Sequence, residues 1–177
     1  MANFDPIKDQ IIPIEGDYVW DHDDLGGETK YGISKRSYPD LDIKKLTLDD
    51  ACAIYKRDFW DVMRLSEVND QKIAENIFWF GVNSGTIESI KILQHILNED
   101  KYSILNEDGI CGTKTLQSLI SFISQNGIFE RGINSIICKI LLNSLKLEQI
   151  SYYVNIVKNK PSQNKFLLGW INRTLRN

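Results

Sequence analysis

Residues 15–33 read E-G-D-Y-V-W-D-H-D-D-L-G-G-E-T-K-Y-G-I and hold the densest chemistry of the chain. Six carboxylates fall here (Glu15, Asp17, Asp21, Asp23, Asp24 and Glu28), and no Lys or Arg precedes Lys30. So dense a cluster repels itself, and solvation alone gives no reason to build it among aromatic residues and glycines. Carboxylates in a cleft donate and accept protons, and Glu15 is the first candidate for a proton donor. The bland reading of Glu15 is a solvated carboxylate at a helix end.

The elements that must position Glu15 follow from local signals. Asp5 followed by Pro6 marks a helix start, with Asp as N-cap and Pro at the first helical position. Ile7, Ile11 and Ile14 then share one face, and Pro13 is expected to kink or end the helix. Glu15 sits at its C-terminal end, where the negative end of the helix dipole and the apolar Ile12, Ile14 and Tyr18 would raise its pKa. Residues 16–32 read as a loop or a short irregular hairpin, broken by Gly26 and Gly27. Thr47 with Asp50 is a capping-box variant opening a helix to about Trp60. Asn69 or Asp70 caps the next helix, with Ile73, Ile77, Phe80 and Val82 along one side and Gly85 interrupting it. Thr86 leads into a further helix with Ile87, Ile90, Leu93 and Leu97 at helical spacing. Residues 98–112 are polar and turn-rich, the best internal boundary. A helix from Thr113 to about Gln125 follows, then two or three more ending near Leu175, the last set off by Pro161. No segment alternates at period two for long, so the chain reads as mostly α.

The wider string E-G-D-Y-V-W-D-H-D-D-L-G-G-E-T-K-Y-G-I-S-K-R resembles the signature of glycoside hydrolase family 108, E-G-G-Y-V-x-D-P-x-D-x-G-G-x-T-x-x-G-I-T. D-I-K-K-L-T, A-I-Y-K-R-D-F-W and G-V-N-S-G resemble that family too, so the likeness covers residues 5–95. The spacing Glu15, Asp24, Thr29 is similar to the Glu, Asp and Thr constellation of phage-type lysozymes. A second string, N-E-D-G-I-C-G-T-K-T-L-Q-S-L-I at residues 106–120, resembles the D-G-x-x-G-P-x-T-x-x-A-L motif of small helical peptidoglycan-binding modules. Read as physics alone, it is a turn feeding a capped helix. The tail K-N-K-P-S-Q-N-K-F-L-L-G-W-I-N-R also resembles the end of family 108 proteins.

These resemblances imply a lysozyme-like helical fold with a C-terminal helical peptidoglycan-binding region packed on it, divided as residues 1–97 and 98–177. They imply an N-acetylmuramidase that hydrolyses the β-1,4 bond between N-acetylmuramic acid and N-acetylglucosamine. Glu15 matches the family's catalytic residue. Asp24 is the candidate for holding the attacking water or steadying the oxocarbenium-like transition state; Asp21 and Asp23 are its rivals, each equally readable as a turn carboxylate. Thr29 is a candidate for the water or the sugar, or bonds its own backbone. Tyr18, Tyr31 and Asn83 are substrate-binding candidates, with core packing or helix capping as the alternatives. Gly27 is placed against substrate, although Gly26 and Gly27 both suit permissive backbone geometry. Asp17 replaces the second Gly of the family pattern and puts a charge beside Glu15. Trp79 stands where a smaller or acidic residue is usual and would reshape the cleft, and Gln94 reads as structural or groove-lining. The rival readings are a lytic transglycosylase, or a catalytically inactive wall-binding or secretion-associated protein.

Composition bounds these readings. With 177 residues, 42% hydrophobic and 10% aromatic, the chain suits one globular domain or a domain with a small module. No run of 18 apolar residues and no secretory signal are present, so no membrane insertion is expected. The expected site of synthesis is the bacterial cytoplasm, with a holin or secretion machine as the export partner. Cys52, Cys111 and Cys138 are odd in number and scattered, which argues against a disulfide framework. Cys52 and Cys138 read as small core residues and Cys111 as a turn residue. Residues 1–90 carry 18 acids and 10 bases, residues 91–177 carry 6 acids and 11 bases. The basic half suits an anionic polymer such as cell wall, or simply attracts the acidic half. Asp21, Asp23 and Asp24 fail the EF-hand template because Leu25 and Gly32 stand at ligand positions, and His22 and His95 are too few for zinc. No metal, cofactor or nucleic acid is expected; the expected partner is peptidoglycan and the expected state a monomer.

Overall fold

The computed structural model describes residues 1–15, 18–20, 28–99, 104–124 and 131–176, with only the backbone of residues 13–15, 19–20 and 131–135. The fold is mostly α, with seven α-helices and one small sheet among the described residues. The chain divides into two compact units, Asn3–Asp61 and Val62–Asn177 joined by Met1–Ala2.

The first unit opens with α1 (Asp5–Glu15). Its start lies one residue earlier than the Asp-Pro signal suggests: Asp5 is already helical, and Asn3 Oδ1 accepts its N–H at 3.2 Å. Helix ends are soft by a residue or two, so the Asx side chain upstream takes the capping role. Pro13 does not end the helix, which runs through Glu15. Ile7 and Ile11 are fully buried, each burial worth about 1.5–3 kcal/mol.

The hairpin expected after α1 is a three-stranded antiparallel sheet of β1 (Val19–Trp20), β2 (Glu28–Lys30) and β3 (Ile33–Ser34). Trp20 pairs with Glu28, Val19 with Thr29, and Lys30 with Ile33. The β2–β3 turn has two central residues, Tyr31 (φ 52°) and Gly32 (φ 75°). Two positive φ angles in a two-residue loop match the right-handed twist of the flanking strands. Gly32 adopts this freely, and Tyr31 is held there by the Tyr55 hydroxyl, which donates to its carbonyl at 2.9 Å.

α2 (Leu48–Tyr55) begins with the expected capping box: Asp50 N–H donates to Thr47 Oγ1 at 3.2 Å, and Thr47 N–H donates to Asp50 Oδ2 at 3.0 Å. The helix then widens into one π-helical turn, Lys56–Trp60, where Asp61 N–H reaches back five residues to Lys56 O. Trp60 is fully buried and meets Phe4 edge-on at 5.5 Å.

The second unit is built on α3 (Gln71–Ser84), α4 (Thr86–Glu99), α5 (Thr113–Ser124), α6 (Arg131–Asn159) and α7 (Asn164–Arg176). Asp70, of the two candidates, caps α3 by accepting from Ile73 N–H at 3.0 Å. Residues 73, 74 and 76–81 are all buried, as in a helix enclosed by its neighbours. Trp79 is 1% exposed, so it packs as a core residue. Gly85, at φ 94°, breaks α3 from α4. α6 packs against α3, α4, α5 and α7. Asn76 and Gln149, both buried, exchange two amide hydrogen bonds of 3.4 and 2.7 Å between α3 and α6.

Two details differ from the helical pattern. Ile90, Leu93 and Leu97 are buried, but Ile87 is 56% exposed. It lies beside the 109 turn instead: a Cβ on Gly109 would come within 2.6 Å of its Cγ2. The turn residue Cys111 is buried while the helical Cys138 is only half-buried. All three cysteines are free thiols.

Candidate active site

Glu15 is the last residue of α1, and its side chain lies outside the described atoms. Asp21, Asp24 and Gly27 lie outside the described residues, as do Asp17, His22, Asp23 and Gly26. Asp17 precedes β1; residues 21–27 connect β1 to β2, and their two flanks, Trp20 and Glu28, are paired across the sheet.

Three other candidates share that sheet region. Thr29 is half-buried in β2, and strand alternation sets its side chain on the face opposite Glu28 and Lys30. Tyr18 is 36% exposed, and its hydroxyl donates to Glu28 Oε1 at 2.8 Å. That bond to a carboxylate raises the phenol pKa, with desolvation adding to it. Tyr31 is half-buried at the turn, with Lys30 Nζ 5.3 Å from its ring centroid. Asn83 belongs to the other compact unit, in the last turn of α3. It is exposed, with Nδ2 donating to Trp79 O at 2.7 Å and Oδ1 accepting from Arg173 Nη1 at 2.8 Å. Among the described residues no three His, Cys, Asp or Glu side chains gather as metal ligands.

The second motif forms an interlocked turn. Gln94, 2% exposed on α4, donates from Nε2 to Asp108 Oδ1 (2.9 Å), Ile110 O (3.1 Å) and Thr115 Oγ1 (3.2 Å). Its Oε1 accepts from Gly109 N–H at 2.9 Å. Asp108 also accepts from Ile110 N–H, and the Gln94 bond followed by this one lowers its pKa. Gly109 has φ 76° and leaves no room for a Cβ against the Ile87 backbone, so only glycine fits. Beside the turn lies a cleft of about 280 Å³ whose lining includes Asn106, Asp108, Ile110, Thr113 and Lys114. Gln94 is therefore the organiser of this turn; nothing local in the sequence singles it out, because its partners lie 14 to 21 residues ahead.

Residues 8–85 match the family model described as Glycosyl hydrolase 108. Residues 88–175 match the model described as "Predicted Peptidoglycan domain". The chain thus carries a glycoside hydrolase family 108 domain followed by a predicted peptidoglycan domain. The protein is a glycoside hydrolase, and the two matches together make it a peptidoglycan hydrolase with a peptidoglycan-binding domain. The hydrolase match extends past the first compact unit and takes in α3, the helix on which α6 packs. The structure of SagA from Brucella abortus is similar over 98% of this chain and 90% of that one, with a TM-score of 0.71 and 21% identity. At that identity the likeness shows the fold. No curated protein matches the chain.

Proposed function

We propose that this hydrolase is an N-acetylmuramidase, cutting the β-1,4 bond between N-acetylmuramic acid and N-acetylglucosamine with Glu15 as general acid. The observation that carries this reading is the motif around Glu15, followed by a segment rich in carboxylates. Protonated Glu15 gives its proton to the glycosidic oxygen as the C1–O bond breaks. A water held by Asp24 and Thr29, or by Asp21, attacks C1 and gives up its proton to the carboxylate. Two carboxyl groups in these roles need pKa values set apart by their surroundings. Tyr18, Tyr31, Gly27 and Asn83 are the proposed sugar contacts. Residues 1–97 serve catalysis and residues 98–177 serve wall binding in this reading. The protein acts as a monomer, is made in the bacterial cytoplasm, and reaches the wall through a holin or a secretion machine.

The test is digestion of purified peptidoglycan by the wild type and by Glu15→Gln, with fragments analysed by mass spectrometry. Reducing N-acetylmuramic acid ends from the wild type alone support the proposal. Anhydro-muramic ends would replace it with a lytic transglycosylase. No fragments, with the protein still sedimenting with the wall, would refute the assignment.

A further inference from the structure

Asn83 ends α3 with its amide gripped on both sides. One N–H goes to Trp79 O, a helical turn back, and the oxygen takes an N–H from Arg173, 90 residues further along the chain. The two ends of a primary amide are almost the same size, so only such contacts decide which way it points. Here the backbone carbonyl demands the NH2 end and the guanidinium demands the oxygen. Arg173 makes no ion pair among the described residues, so none of their carboxylates competes for this contact.

The helix that carries Arg173 is itself fastened. Trp170 stacks on Tyr153 at 5.1 Å, Thr174 is buried, and Lys146 Nζ donates to Leu175 O at 3.3 Å. Tyr153 also takes the hydroxyl of Ser84, the residue after Asn83, at 3.2 Å. The end of α3 is thus referenced to α6 and α7 through side chains.

An amide has two N–H donors and two acceptor lone pairs. Asn83 uses one of each on Trp79 and Arg173, and its side chain is exposed. One N–H and one lone pair remain. Either one can bond a secondary amide: the N–H donates to its C=O, or the lone pair accepts from its N–H. Both sugars of peptidoglycan carry such a group, the 2-acetamido substituent.

We propose that Arg173 is a positioning residue that holds the Asn83 amide in the orientation required to bind a 2-acetamido group of the glycan. The inference rests on the reading of Asn83 as a substrate contact. It makes the C-terminal helix part of the glycan-binding apparatus as well as of the wall-binding region.

The experiment measures kcat and KM separately on soluble, uncross-linked glycan strands, with melting midpoints alongside. The full-length proteins compared are the wild type, Asn83→Ala, Arg173→Ala, Arg173→Lys and the double variant Asn83→Ala/Arg173→Ala. Loss of one such hydrogen bond should raise KM by about threefold to tenfold in each single alanine variant, with kcat nearly unchanged. Arg173→Lys, which keeps a donor, should recover part of the loss. The double variant should be no worse than Asn83→Ala. On chemically de-N-acetylated strands the difference between Arg173→Ala and wild type should disappear. Effects that multiply in the double variant would overturn the proposal. So would a lower melting midpoint in Arg173→Ala with unchanged KM, which marks a purely structural tie. An unchanged KM in Asn83→Ala would refute the contact itself, whereas the muramidase reading is judged separately by Glu15→Gln.

Discussion

The turn at residues 108–115 and the C-terminal end of α3 carry similar polar side chains and use them in opposite ways. Gln94 is buried, and its amide is engaged at both ends by Asp108, Gly109, Ile110 and Thr115. Asn83 is exposed and engaged only in part, by Trp79 and Arg173. Asn76, two turns earlier on the same helix as Asn83, is buried and pairs with Gln149. A buried polar group without a partner costs free energy, so Gln94 and Asn76 must be satisfied within the protein. An exposed one can leave its capacity to a ligand. The turn therefore holds a shape, and wall binding near it would draw on the cleft beside it, where Lys114 and Thr113 stand. The α3 end, with the same chemistry, keeps a donor and an acceptor in reserve.

If this division is right, substitutions should separate activity from stability. The largest effect on activity is expected at Glu15. Glu15→Gln should lower kcat by about 10²–10⁴-fold with the melting midpoint unchanged, measured by release of reducing ends and by calorimetry. The largest effect on stability is expected at Gly109. Gly109→Ala forces a side chain into a positive φ and against the Ile87 backbone, and should cost about 2–4 kcal/mol in denaturant unfolding. Activity per folded molecule should survive it; a selective loss of activity would break the contrast. Asn76→Leu leaves the Gln149 amide buried and unpartnered, at a cost of about 1–3 kcal/mol. Adding Gln149→Leu should restore much of that, and an additive loss would show that the two amides do not act as a pair.

The smallest effect lies in the first unit. Burial, then the hydrogen bond to Asp58 at 2.8 Å, pushes the Tyr38 phenol up to about 12. The unfolded phenol ionises near its ordinary value of 10.0 while the folded one stays neutral, so stability is intact below about pH 10 and drains away as pH rises towards 12. Tyr38→Phe should flatten that slope in urea titrations between pH 9 and 11; an unchanged slope would show that Tyr38 is not its source.

The features readable from sequence were those set by neighbours along the chain. The Thr47–Asp50 capping box, the Asp70 cap and the Gly85 break all depend on residues within one turn, and all stand in the structure. What escaped depends on distant partners. Trp79 is core because α3 is enclosed, which no local pattern states. Ile87 fits the helical stripe by spacing, yet it is exposed beside Gly109. Cys111 is buried although it follows a turn, and burial pushes its thiol up to about 11. Arg173 closes the tail string that resembles family 108 proteins, but nothing in that string names its partner, and only the fold brings it to Asn83. The candidate site divides in the same way: the motif names Glu15, Asp24, Thr29 and Asp21, and of these Thr29 alone has a described side chain.

The central claim is hydrolysis at the muramic acid C1 by a water activated opposite Glu15. Digestion of defined glycan strands in ¹⁸O-water, with mass spectrometry of the new ends, tests it most directly. The account predicts one heavy oxygen at each new reducing N-acetylmuramic acid end from the wild type, and no new ends from Glu15→Gln. Unlabelled anhydro ends, label on N-acetylglucosamine instead, or equal cleavage by Glu15→Gln would contradict it.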